Sequence, residues 1–101
     1  MNNHIPWITP TEAKEKVSNG ALLIDVRTPK ETNDGYLTGA LLINSEEALD
    51  RLSEFGSNKE REIVLYCKSG GRSNAVAVML ESKGYKKLFN AGGYEDLKGE
   101  W

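Results

Sequence analysis

Hydrophobic positions along this chain follow two rhythms. From Ala21 to Val26 (A-L-L-I-D-V), Ala40 to Ile43 and Ile63 to Tyr66 they run almost unbroken for the length of a strand. Such runs belong to strands covered on both faces in a parallel sheet, and Leu88 to Asn90 offers a short last one. Between them the apolar residues thin out to helical spacing. Thr9-Pro10-Thr11-Glu12 supplies a hydroxyl cap, proline at the first helical position and a Glu to close a capping box, and Gly20 stops that helix. Thr28-Pro29-Lys30-Glu31 repeats this grammar for a short turn of helix ended by Gly35. Ser45 is expected to cap another helix, with Ala48, Leu49, Leu52 and Phe55 on one stripe and Gly56-Ser57-Asn58 as its break. Ser73 to Lys83 reads as helix too. Ala75-Val76-Ala77-Val78 alternates weakly like a strand, but the hydroxyl at the start, Gly84 at the end and about eleven residues between decide for helix. Gly92-Gly93 is expected to turn, and Tyr94 to Trp101 to form a helical or irregular tail.

Strands alternating with helices at this spacing predict a parallel, doubly wound α/β sheet, in which ligands bind beyond the carboxyl ends of the strands. The loop after Tyr66 lies there. With 101 residues, one domain spanning 1–101 is the expected organisation. Thirteen Lys plus Arg against fifteen Asp plus Glu give a net charge of -2, which leaves no electrostatic footprint for nucleic acid or an anionic membrane. No apolar run approaches the ~20 residues of a membrane span. The opening M-N-N-H-I-P-W lacks the basic and apolar regions of a secretory leader. A cytoplasmic location is therefore expected, or a periplasmic one if a leader has been removed.

Cysteine and histidine counts narrow the chemistry. Cys67 and His4 are each the only residue of their type, so an internal disulfide and a Cys/His structural zinc site are both excluded, and no metal or cofactor is expected. A protease-like Cys-His pair has no credible base either, because His4 lies close to the terminus. What remains is Tyr66-Cys67-Lys68-Ser69-Gly70-Gly71-Arg72-Ser73, a thiol at a strand end followed by two glycines and two cations. Glycines let successive N–H groups curl inward as a nest, and the next helix adds its positive end. A thiol at that focus falls from about 8.5 into the range of roughly 3.5 to 7.5, with no histidine needed. A lone Cys ending a core strand is more often an inert small hydrophobe, but such a residue needs neither paired glycines nor flanking cations. Asp25 and Arg27, two apart on one strand face, are expected to form a charge and hydrogen-bond cluster with Glu31 that is mainly structural, with Arg27 also able to face an anion. Trp7 and Trp101 are expected to pack the termini onto the body.

Two motifs carry a resemblance: L-I-D-V-R-T-P-K-E-T-N-D-G-Y-L-T-G-A from Leu23 to Ala40 and I-V-L-Y-C-K-S-G-G-R-S from Ile63 to Ser73, with N-A-G-G-Y at Asn90 to Tyr94. With these, the chain resembles the single-domain rhodaneses, in particular the small bacterial thiosulfate sulfurtransferases of the phage-shock type. Asp25, Arg27, Glu31, Gly39, Ala40, Cys67, Gly70 and Arg72 fit the family's pattern; Tyr36-Leu37 stands in place of its usual His-Ile. The resemblance implies an α/β rhodanese-like fold, a central parallel sheet of about five strands with helices on both faces. It also implies ping-pong sulfur transfer, in which the Cys67 thiolate takes the outer sulfur of thiosulfate, releases sulfite and passes a persulfide sulfur to cyanide, a small thiol or a protein. Lys68, Ser69, Gly70, Gly71, Arg72 and Ser73 would then surround the substrate, with the Lys68 and Arg72 side chains on the sulfonate end. One cysteine means the persulfide needs an external acceptor, and a monomer is expected. Tyrosine-type phosphatases share the Cys, nest and Arg but present a longer loop, fit for a tetrahedral phosphate; this chain has four residues, Lys68 to Gly71. A sulfur carrier or adaptor module is the other reading, and modules of that kind usually lose the cysteine.

Overall fold

The computed structural model describes residues 4–101, so the part of the leader reading that falls on residues 1–3 lies outside the described residues. The unbroken apolar runs become strands: β1 (Leu22–Asp25), β2 (Leu41–Leu42), β3 (Glu62–Cys67) and β4 (Lys87–Gly93). The helices are α1 (Pro10–Ser18), α2 (Pro29–Thr32), α3 (Gly71–Ser82) and α4 (Tyr94–Leu97), with a 3-10 turn at Leu52–Phe55. Every strand pair is parallel, in the order β2-β1-β3-β4. About five strands were expected. Among the described residues four form the sheet, and the fifth place, outside β4, is held by a parallel bridge from Trp7 to Asn90.

The strands read as continuous apolar because both faces are covered. Along β3, Ile63, Leu65 and Cys67 face a core closed by Val76, Ala77 and Leu80 of α3. Val64 and Tyr66 face the opposite core, with Ala13 of α1 and Leu97 of α4. Helices thus cover both faces, as expected. Each fully buried Val, Leu or Ile in these layers contributes about 1.5–3 kcal/mol. Asp25 pairs in register with Tyr66, so β1 and β3 deliver their ends to the same edge of the sheet.

Both capping boxes form: the Glu12 N–H donates to Thr9 Oγ1 at 3.1 Å and the Thr9 N–H to Glu12 Oε1 at 2.8 Å, with the same reciprocal pair at Thr28 and Glu31. The helix expected from Ser45 to Phe55 is instead a chain of turns ending in the 3-10 segment. Asn44, not Ser45, opens it, its Oδ1 accepting from the Glu46 N–H at 3.0 Å. Several of the bonds that follow run to the residue three back, including Leu52 N–H to the Leu49 carbonyl and Glu54 N–H to that of Arg51. This winding buries Ala48 and Phe55 but leaves Leu49 57% exposed. α3 starts at Gly71, earlier than Ser73, and β4 carries Gly92 and Gly93 as its last residues where a turn was expected. Among the described residues no helix is long and apolar enough to cross a membrane.

Candidate active site

β3 ends at Cys67 and α3 begins four residues later, which leaves Lys68, Ser69 and Gly70 to turn the chain. Gly70 is the hinge of that turn. Its φ of +99° lies in the left-handed region that L side chains avoid, and a Cβ there would run into the Trp7 ring. In this conformation the Gly70 N–H donates to Cys67 Sγ at 3.0 Å. Ser73, in the first turn of α3, brings its Oγ to 3.5 Å from the same sulfur. α3 has no side-chain cap, so the first N–H groups of a 12-residue helix stay open toward the thiol. The loop is held from behind: the Lys68 carbonyl rests on Gly93 so closely that a Cβ at that position would strike it.

Cys67 is 1% exposed. Burial pushes its thiol up, but the Ser73 hydroxyl and the N–H groups of Ser73, Ser69 and Gly70 outweigh this, and the thiol lies below its ordinary value. The nest expected across Lys68 to Ser73 therefore acts on the thiol through three of its amides. Arg72 couples to the sulfur through space.

The three-residue cluster expected at the end of β1 is two separate ion pairs. Arg27 grips Asp25 side-on, Nε to Oδ1 at 3.0 Å and Nη2 to Oδ2 at 2.8 Å, with both residues buried. Arg27 Nη2 also donates to the Gly35 carbonyl at 2.7 Å. Glu31 turns to Arg72 instead, Nη1 to Oε1 at 2.7 Å and Nη2 to Oε2 at 3.0 Å. That fork lowers the Glu31 carboxyl to about 2. It also differs from the expected role of Arg72, because its terminal nitrogens already hold a carboxylate.

Next to the loop, Arg27, Lys68, Tyr94 and Lys98 line a cleft of about 360 Å³ together with Glu31 and Asp34. Tyr94 stacks on Tyr66 with centroids 6.2 Å apart, and the Arg27 guanidinium lies 4.1 Å from the Tyr94 ring centre. Tyr66 fixes the floor by accepting the Leu37 N–H on its hydroxyl at 3.1 Å. Among the described residues no three His, Cys, Asp or Glu side chains gather in a way that could hold a metal ion.

Local sequence assigns no role to Asn90, and to Trp7 only the packing of the terminus onto the body. Asn90 is fully buried on β4 and bonds to both Gly70 and Ser73. Trp7 is 57% exposed, yet its ring edge lies against Gly70. A polar residue inside the apolar run of β4 is the one local signal for Asn90. Trp101 packs beneath Lys14, whose Nζ lies 4.9 Å from its ring centre.

The chain also resembles known proteins. A family model described as Rhodanese-like domain matches residues 9–100. The chain is 38% identical over 72 residues to a protein of Allochromatium vinosum named Sulfurtransferase, across 71% of this chain and 65% of that one, just under two-thirds of its length. It is 31% identical over 74 residues to Thiosulfate sulfurtransferase PspE of Escherichia coli, across 73% of this chain and 71% of that one. Its fold matches the crystal structure of reduced Bacillus anthracis CoADR-RHD with a TM-score of 0.82 and 36% identity, over 94% of this chain but 16% of that much longer one.

Proposed function

The chain belongs to the rhodanese-like domain family, and from that premise we propose that it is a thiosulfate sulfurtransferase working by a ping-pong mechanism through a persulfide on Cys67. The observation that carries this reading is the Cys67 sulfur set against the Gly70 N–H at 3.0 Å, with Ser73 Oγ at 3.5 Å and the uncapped start of α3 beyond. A thiolate formed there attacks the outer sulfur of thiosulfate. The sulfur–sulfur bond of the donor breaks, its electron pair leaves with sulfite, and a new bond joins Cys67 Sγ to the transferred atom. That atom carries the negative charge, and the amides of the Lys68–Ser73 loop are placed to stabilise it. Cyanide or a thiolate then attacks it, leaves as thiocyanate or a persulfide, and returns the Cys67 thiolate.

The sulfonate end of the donor needs cations that are not already spent. Lys68, exposed and lining the cleft, meets that need and receives it, while Arg27, gripping Asp25, and Arg72, locked on Glu31, act by their charge. With four residues between Cys67 and Arg72, the cradle suits one sulfur atom better than a phosphoryl group. With no second cysteine in the sequence, the acceptor is external, a small thiol, cyanide or a protein thiol. On this reading 1–101 is one domain and a monomer, in the cytoplasm or, if a leader has been removed, the periplasm, with no cofactor, nucleic acid or membrane partner.

Intact mass after incubation with thiosulfate tests it. A gain of one sulfur atom is expected, removed by cyanide and absent in Cys67→Ala. No gain, together with cleavage of a phenyl phosphate, overturns the reading, and loading without discharge to any acceptor would mark a carrier in place of an enzyme.

A further inference from the structure

Asn90 sits on β4, fully buried, outside the loop that carries Cys67. Its Nδ2 donates to the Gly70 carbonyl at 2.9 Å, and its Oδ1 accepts from Ser73 Oγ at 2.9 Å and from the Gly92 N–H at 2.9 Å. The orientation of a side-chain amide is ordinarily ambiguous. Here the Gly70 carbonyl demands a donor and the Gly92 N–H an acceptor, so the oxygen is fixed toward Ser73. A serine hydroxyl has one proton, and three acceptors lie within its reach: Asn90 Oδ1, the Gly70 carbonyl at 3.1 Å and Cys67 Sγ at 3.5 Å. The Gly70 carbonyl is already served by Asn90 Nδ2 and by the Asn74 N–H at 3.0 Å. The choice for the proton is therefore between Asn90 and the sulfur.

We propose that Asn90 is a positioning residue for Cys67: it parks the Ser73 hydroxyl beside the sulfur and yields the Ser73 proton to the sulfur when the sulfur becomes charged. The exchange strands no buried group, because Oδ1 keeps the Gly92 N–H when Ser73 turns away. A charge-assisted bond to sulfur outranks a neutral one to an amide oxygen. The backbone of Asn90 is anchored as firmly, its N–H to the Pro6 carbonyl at 2.9 Å and its carbonyl to the Ile8 N–H at 3.0 Å. Gly70 is thereby tied from β4 so that its own N–H faces the sulfur.

This inference rests on Cys67 being the sulfur-transfer nucleophile, but its test reads the thiol itself and needs no sulfur donor. The rate of iodoacetamide alkylation is followed against pH in the full chain, in Asn90→Leu, in Ser73→Ala and in the double variant. Arg72, the charge coupled to the sulfur, is present in all four. Each single change is expected to raise the midpoint by about one unit, a roughly tenfold lower thiolate fraction at acidic pH. The double variant is expected to go no further than the larger single, since Asn90 acts through Ser73. A midpoint in Asn90→Leu equal to the parent's, or a double variant showing the sum of both shifts, overturns the proposal. Should Asn90→Leu fail to fold, Asn90→Ser, too short to reach both Gly70 and Ser73, takes its place with the same expectations.

Discussion

β1 and β3 lie side by side in the sheet and each hands its chain to a helix at the same edge, yet the two junctions spend their polar groups in opposite ways. After β1, the first turn of α2 is closed by its own side chains, Thr28 and Glu31. The charge that follows that strand, Arg27, is matched by Asp25. After β3 there is no capping side chain, Gly70 is held left-handed, and the N–H groups face a sulfur. Two strand-to-helix turns of similar build thus give a sealed corner and an open one. The proposed chemistry uses the corner where local satisfaction is missing, since open donors are what a developing negative charge needs.

Removing a partner at the sealed corner should cost most. Asp25→Ala leaves the buried Arg27 guanidinium without its carboxylate, holding only the Gly35 carbonyl, and a loss of about 3–5 kcal/mol is expected in urea unfolding. At the open corner, Gly70→Ala forces a side chain into a left-handed turn and into the Trp7 ring. With the Gly70 N–H drawn off the sulfur, sulfite release from thiosulfate should fall about 100-fold, and the pH midpoint for thiol alkylation should rise.

Glu31→Gln bridges the two corners, because Glu31 caps α2 and holds Arg72. The Glu31 carboxyl is held at about 2 in the folded chain against 4.5 for the free group, so the unfolded state binds more protons between these values and stability rises with pH there. The contribution, about 1 kcal/mol for a partly exposed pair, is complete above the free value and lost as pH falls through about 2. The gap between parent and Glu31→Gln in thermal unfolding should therefore be constant near neutrality and close in acid. The smallest effect is expected from Thr9→Ala, which removes the exposed cap of α1 far along the chain from either corner. It should cost about 0.5 kcal/mol and leave the alkylation midpoint where it was.

Much of this layout was legible in the sequence, for reasons that differ by residue. The capping boxes at Thr9 and Thr28 and the Cys67 loop are written in consecutive residues, so local physics suffices to read them. Apolar runs covered on both faces announced the parallel strands. Ser45 to Phe55 misled because helical spacing of Ala48, Leu49, Leu52 and Phe55 does not reveal that Asn44 opens a tighter winding and turns Leu49 outward. The partner of Glu31 was misassigned for a similar reason: Arg27 is four residues away and Arg72 forty-one, and only the β1–β3 pairing brings the latter near. The role of Asn90 is not legible locally, since its partners Gly70 and Ser73 come from another strand-to-helix turn.

The bridge between Trp7 and Asn90 bears on how the protein should be cut. The family match begins at residue 9, but Pro6 and Ile8 supply the main-chain bonds that cover the outer side of β4 at Asn90. A version trimmed to the matched span would expose that stretch of strand as a bare edge, the sort of template on which a second molecule can add itself. Such a truncation is expected to self-associate as well as to loosen the sulfur loop, so the boundary of the homology and the boundary of the folding unit are different lines.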